Sequence, residues 1–430
     1  MFEALISDTV ELPLALVALG GVALVVMVLV VWSHKRHSDP KLGIECDDPL
    51  PALLPSIAGL SHGCVIEGNR VEVLENGRFF DVLIEHIVSA RHTVHFETYL
   101  WKDGLLSERI VQALCERARS GVQVRLMIDG NGGKLMRRST RKRLHEAGCR
   151  LAVYHDRQLR NIGVMNRRDH RKLVVLDGRI AFIGGHCIVD DWLGDAEDRH
   201  HFRDVSLRIE GPGVHALQSA FSENWVDETG ELFVGEDVFP RLEPRGDVAL
   251  HVARVKPENA APAVKILHHL VMCIAHERIL IQNPYFLPDP EAIKALGKAA
   301  ARGVDVRVMM PSEGASDMPF VQQAAHRHFE TLLAHGVRLL EYPRTLLHQK
   351  LMVIDGQWCA IGSSNFDDRS FEINDEITVG LWSRDLAAQF EALFERDARD
   401  CVELDLASWR RRGPWRRARE RLFYLFNEQL

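Results

Sequence analysis

No CxxC pair occurs among the eight cysteines of this 430-residue chain, and Cys149, Cys273 and Cys359 sit inside apolar runs, where they read as small buried hydrophobes. A disulfide framework and a thiolate zinc site are set aside, and a reducing compartment is expected. Positive charge is not in excess either. Against 53 Lys and Arg stand 60 Asp and Glu, a formal −7, so a protein that coats nucleic acid by releasing counterions is not expected. His200-His201 and His268-His269 lack companions at metal-ligand spacing, which favours surface or core histidines there. What remains is a folded composition, 46% hydrophobic and 26% charged, long enough for two ordinary domains plus extensions.

One segment lacks charge altogether. Leu12 to Trp32, LPLALVALGGVALVVMVLVVW, runs 21 residues without a charge or a polar face, and that length crosses a bilayer. It has neither the basic start nor the small-residue cleavage site of a signal peptide. The spacing therefore predicts a transmembrane helix over 12–32, within an N-terminal segment 1–32. Glu3, Asp8 and Glu11 precede it and Lys35 and Arg36 follow it, so the positive-inside rule places the rest of the chain in the cytoplasm. The polar, proline-bearing stretch 33–62 reads as a linker.

Beyond it the chain repeats itself. ARHTVHFETYLW, RSGVQVRLMIDG, EAGCRLAVYH and HRKLVVLDGRIAFIGG are answered in order by AHERILIQNPYF, ARGVDVRVMMPS, AHGVRLLEYP and HQKLMVIDGQWCAIGSSN. Gly121 to His170 spans 49 positions and Gly303 to His348 spans 45. Such constant spacing marks one domain duplicated. Short β-rich runs alternate with alanine-rich helical ones, the pattern of an α/β sheet covered by helices.

The central sentence of the repeat is HRKLVVLDG at 170–178 and HQKLMVIDG at 348–356, with six of nine residues identical. Side chains at i and i+2 of a strand share a face, so His170 stands beside Lys172 and His348 beside Lys350. Asp177-Gly178 and Asp355-Gly356 signal tight turns, making each motif a hairpin. Ser363 and Asn365, again i and i+2, supply neutral donors in the second copy. One HxK is a weak sign, but packing gives no reason to keep both residues in both halves. Pseudo-symmetry does: two histidines and two lysines can meet around one ligand, the ammonium groups suiting a phosphate and the imidazoles dividing the work of nucleophile and general acid.

The doubled HxKxxxxD, the second followed by GSSN, resembles the phospholipase D superfamily. Together with the membrane-type N-terminus, HFETYLW, NPYFLPD and the tail WRRRGPWRRARERLFYLF, residues 63 to 430 resemble bacterial cardiolipin synthases. The resemblance implies two tandem phospholipase D-like α/β sandwich domains, at 63–240 and 241–408, related by a pseudo-twofold duplication. It implies a phosphatidyl transfer between two phosphatidylglycerols through a phosphohistidine, giving cardiolipin and glycerol, with no metal or other cofactor. In that picture His170, Lys172, Asp177, His348, Lys350 and Asp355 are the catalytic set, with Lys172 and Lys350 on the non-bridging oxygens and Ser363 and Asn365 adding hydrogen bonds.

Each histidine is expected to have a carboxylate behind it: Glu376 in the second half, 28 residues after His348, and Asp204 in the first. Asp177 and Asp355 read equally well as turn stabilisers. The first copy departs from the pattern at Gly184-Gly185-His186-Cys187, where Cys187 replaces an asparagine.

Arg410 through Arg421 holds seven arginines and one glutamate, with Trp415, Ala418, Leu422, Leu425 and Phe426 at helical spacing. Residues 409–430 are thus expected to form a basic amphipathic helix, lying on an anionic bilayer or docked on the body. RRSTRKR at 137–143 is a solvated helix face or a headgroup contact. The expected partners are anionic phospholipids, phosphatidylglycerol and cardiolipin, at a bacterial inner membrane, with no nucleic acid. A phospholipase D or nuclease activity, and lipid binding without turnover, are the competing readings.

Overall fold

The computed structural model describes residues 15–25, 27, 44, 48–155, 167–257 and 262–424. Within the apolar 12–32 stretch, residues 15–25 are helical and the remainder, apart from residue 27, lies outside the described residues. No helix among the described residues is long and apolar enough to cross a membrane. The body, from residue 42 onward, is one compact unit.

Fifteen strands are found among the described residues. They are β1 (Ile66–Glu75), β2 (Thr93–Thr98), β3 (Gln123–Asp129), β4 (Arg150–Tyr154), β5 (Leu173–Leu176), β6 (Ile180–Gly184), β7 (Val205–Glu210), β8 (Val248–Val255), β9 (Arg278–Gln282), β10 (Asp305–Pro311), β11 (Arg338–Tyr342), β12 (Leu351–Ile354), β13 (Trp358–Gly362), β14 (Glu376–Trp382) and β15 (Val402–Glu403). Their order is β15-β11-β10-β9-β12-β13-β14-β8-β1-β7-β6-β5-β2-β3-β4. Apart from β15, the second half of this order mirrors the first, and the halves join where β1 pairs antiparallel with β8, Ile66 opposite Leu250.

Period-two alternation decides which core each strand serves. In β5, Leu173 and Val175 enter a central core while Val174 and Leu176 enter an outer one; in β12, Leu351 and Val353 divide from Met352 and Ile354 in the same way. The central core takes inner-face residues from both halves, together with the helices Val214–Thr229 and Arg384–Ala398. The remaining helices of the body cover the outer faces. This is a layered, mixed α/β architecture with two similar domains sharing one interior.

Two expectations at the margins change. The stretch 33–62 is not all linker: Leu50–Leu60 is a helix with a proline in its first turn, and Leu50, Ile57 and Ala58 are buried, the first two within the outer core of the second half. Burial of that face, rather than propensity, holds so short a helix. The tail helix Pro414–Tyr424 is docked on the body against the helix Pro319–Ala334. Glu420 is buried there, bonded to Arg412, while Arg416 and Arg419 reach Glu313 at 3.3 and 3.4 Å. The expected apolar stripe faces outward instead: Trp415 is 88% and Leu422 56% exposed. Leu425 and Phe426 lie outside the described residues.

Candidate active site

His170 and Lys172 sit just before β5, and His348 and Lys350 just before β12, in extended segments rather than inside the strands. What fixes them is the other half of the molecule. His170 N–H donates to the Asp375 carbonyl at 2.9 Å and Asp375 N–H to the Arg168 carbonyl at 2.8 Å; His348 N–H donates to the Arg203 carbonyl at 2.8 Å and Arg203 N–H to the Leu346 carbonyl at 2.9 Å. Each motif is thus laced in parallel to the segment that carries the partner half's carboxylate.

The carboxylates follow from that lacing, and they correct the expectation that each stands behind the histidine of its own half. His170 Nδ1 lies 2.8 Å from Glu376 Oε1, and His348 Nδ1 lies 2.8 Å from Asp204 Oδ2. The pairs are crossed. An ionised carboxylate only accepts, so Nδ1 carries the proton in both rings and Nε2 keeps its lone pair. Glu376 is held below its ordinary range: burial acts upward and is outweighed by His170, Lys172 and the Ser363 hydroxyl.

Both imidazoles are pushed down, His170 to about 4 and His348 well below its ordinary value, by burial first and then by the lysines, with Glu376 opposing at His170. Lys350 is lowered to about 7, by burial first, against the attraction of Asp204. The site is therefore short of charge until an anion enters it.

The two halves are not equivalent. Lys350 Nζ lies 3.0 Å from His348 Nε2 and donates to the His348 carbonyl at 2.8 Å. Lys172 Nζ donates to the His170 carbonyl at 2.6 Å, and among the described residues His170 Nε2 has no hydrogen-bond partner. Tyr99 meets His170 edge-on at 4.9 Å and lies 5.2 Å from Lys172 Nζ. Trp192 meets His348 edge-on at 5.0 Å and donates its Nε1–H to Asp204 Oδ2 at 2.8 Å. Tyr99 lies in the HFETYLW segment, but nothing in the sequence places it or Trp192 beside an imidazole.

Three other expected residues, Asp177, Asp355 and Ser363, take more structural places. Asp177 and Asp355 lie at the far ends of β5 and β12 from the lysines, at left-handed φ of 51° and 52°. Asp177 accepts from the backbone N–H of Arg91, His92 and Thr93, and Asp355 from those of His276, Glu277 and Arg278. They clamp β2 and β9 to the turns, the turn-stabilising role, and make no hydrogen bond to either imidazole among the described residues. Ser363 donates its hydroxyl to Glu376 and so braces the carboxylate rather than waiting for a ligand. Asn365 is buried with Oδ1 unpaired among the described residues.

In the first half Cys187 is 2% exposed, in the outer core, and its thiol is pushed up by burial, with Lys172 opposing. Gly185, which stands in the first copy of the repeat where Ser363 stands in the second, has a reason of its own: a Cβ there would fall 2.6 Å from both Asp204 oxygens. His186 donates its Nε2–H to the Asn76 carbonyl at 3.0 Å and accepts at Nδ1 from the Ser206 hydroxyl at 2.7 Å, as a bonded core residue.

Both halves of the chain resemble known proteins. The family model for the cardiolipin synthase, PLD-like domain matches twice, at 83–191 and 271–398. The chain is 31% identical over 364 residues to the major cardiolipin synthase ClsA of Bacillus subtilis, covering 84% of this chain and 75% of that one. It is 31% identical over 363 residues to a cardiolipin synthase of Staphylococcus aureus, covering 84% and 73%. A phosphatidylserine synthase of Haemophilus influenzae shares the fold, with a TM-score of 0.63 at 15% identity, covering 84% of this chain and 95% of that one. The doubled match, covering more than half of the chain and both His-Lys pairs, and the 31% identity to the two synthases make the chain a member of the PLD-like cardiolipin synthase family.

Proposed function

We propose that the protein is a phosphatidyltransferase that makes cardiolipin from two phosphatidylglycerols. The observation that carries the mechanism is the crossed pair of Nδ1-anchored imidazoles flanked by Lys172 and Lys350. His170 Nε2, the unoccupied lone pair, attacks phosphorus and forms the N–P bond as the P–O bond to the headgroup glycerol breaks. His348, protonated once the phosphate anion has entered, gives its Nε2 proton to the leaving glycerol oxygen. It then takes the proton of the incoming phosphatidylglycerol hydroxyl, whose oxygen displaces His170 from phosphorus. The ammonium groups of Lys172 and Lys350 hold the non-bridging oxygens throughout. One phosphodiester is broken and one made, so no nucleotide drives the exchange.

In this reading residues 12–32 anchor the chain as a single pass in the inner membrane, the body is cytoplasmic, and the substrates are anionic lipids. Labelled phosphatidylglycerol should yield cardiolipin and glycerol. His170→Ala and His348→Ala should each abolish that yield without unfolding the chain. Phosphatidic acid as the sole lipid product would replace transfer by hydrolysis.

A further inference from the structure

The site lies at one end of the sheet, and that end carries exposed apolar side chains among cations. β5 runs antiparallel to β2 with Leu173 opposite Glu97, so His170 and Lys172 fall at the C-terminal end of β2. β3 is parallel to β2, and its C-terminal end leads into the turn Gly132–Leu135. At this end Leu105 is 72% and Leu135 56% exposed. Lys102, Lys134, Arg137 and Arg138 beside them are all exposed.

These segments are not loose. Asp103 accepts from Arg137 N–H at 3.1 Å and from the Thr140 hydroxyl at 2.9 Å, and Arg141 donates to the Gly133 carbonyl at 2.8 Å. Asp190 accepts from the N–H groups of Leu105 and Leu106, each at 2.9 Å. Two residues on from Asp190 stands Trp192, which bonds Asp204 behind His348.

Large apolar exposure occurs elsewhere too, and its company differs. Leu232, 77% exposed, follows the helix Val214–Thr229 next to Glu231, which pairs with Arg125 and Arg150 in β3 and β4. The sequence around it, DETGELFVGED, is acidic. A lipid surface with negative headgroups would repel that patch and attract the one beside the site.

We propose that Leu105 and Leu135, framed by Lys102, Lys134, Arg137 and Arg138, form the face by which the first half seats on an anionic bilayer, with the cleft opening toward it. The inference rests on the lipid-transfer reading above. The leucines enter the headgroup region while the cations bind phosphates, and the rigid link through Asp190 and Trp192 keeps the imidazoles at a fixed depth beneath that plane.

The test places an environment-sensitive fluorescent amino acid at position 105, 135, 232 or 415 of the full chain. Each protein is reconstituted in phosphatidylglycerol and phosphatidylcholine vesicles with a quencher on the acyl chains. Quenching at 105 and 135 but not at 232 is expected; no quenching at 105 and 135, whatever position 415 shows, overturns the proposal. The surface variant K134Q/R137Q/R138Q should lose about tenfold or more of its turnover on vesicles at low salt, and less at high salt. Its turnover of dispersed short-chain phosphatidylglycerol should stay unchanged, and equal loss on both substrates also overturns the proposal. Fluorescence needs no turnover, so quenching at 105 and 135 in a protein that forms no cardiolipin upholds the docking face and removes the transfer reading instead.

Discussion

Glu376→Gln and Asp204→Asn separate the two histidines, because each carboxylate serves the ring of the opposite half. Either change removes the charge that fixes Nδ1–H, and turnover should fall on the order of 10²–10⁴-fold. The losses should differ in kind: Glu376→Gln lowers acid-trapped phosphate on His170, whereas Asp204→Asn spares the trapped species and slows its transfer. Identical trapping in both variants would contradict the assigned roles. Lys350 gives the pH dependence. Its folded value near 7 lies below its ordinary one, so between about 7 and 10 the unfolded chain holds a proton that the site has released, and stability gains from this group as pH rises through that window. Oxyanion binding runs the other way, since the anion needs the ammonium. Affinity for tungstate or inorganic phosphate should weaken above pH 7, approaching tenfold per unit, as titration calorimetry in two buffers can measure.

At the scale of elements, the hairpin β5–β6 and its copy β12–β13 were plain in the sequence because everything that makes them is local: four apolar residues, then Asp-Gly at positive φ. The turn aspartates do more than turn. Asp177→Ala or Asp355→Ala strips acceptors from three backbone N–H groups and should cost roughly 1–3 kcal/mol, lowering the melting temperature while the folded fraction keeps near-normal turnover. Loss of turnover at unchanged stability would return these residues to the chemistry. Other elements were hidden for equally physical reasons. A docked amphipathic helix and an interfacial one share a period, so only the buried Glu420–Arg412 pair and the exposed Trp415 tell that Pro414–Tyr424 turns its charged face inward. The helix Leu50–Leu60 carries two prolines and reads as linker until its burial is seen. Both carboxylates are legible as residues, but each is matched in the sequence to the histidine of its own half, because a spacing in sequence says nothing of which strand ends meet.

For the whole molecule, the shared central core and the ion pair of Arg203 with Asp397, at 3.1 Å across the halves, make the duplication one cooperative body. A protease site placed between residues 241 and 246 should therefore give a nicked protein that keeps its turnover. Activity and the association of fragments, followed by gel filtration in rising urea, should be lost together. Separate fragments that retain activity would mean that each half owns a site. The crossing also has a consequence during synthesis. His170 leaves the ribosome 206 residues before Glu376, the group that orients it, so the emerging chain carries an unaimed imidazole until its second half has folded against the first. A centre that cleaves phosphodiesters before it can pass them on would waste lipid; here the reactive group is armed only after the second half has been made and has folded.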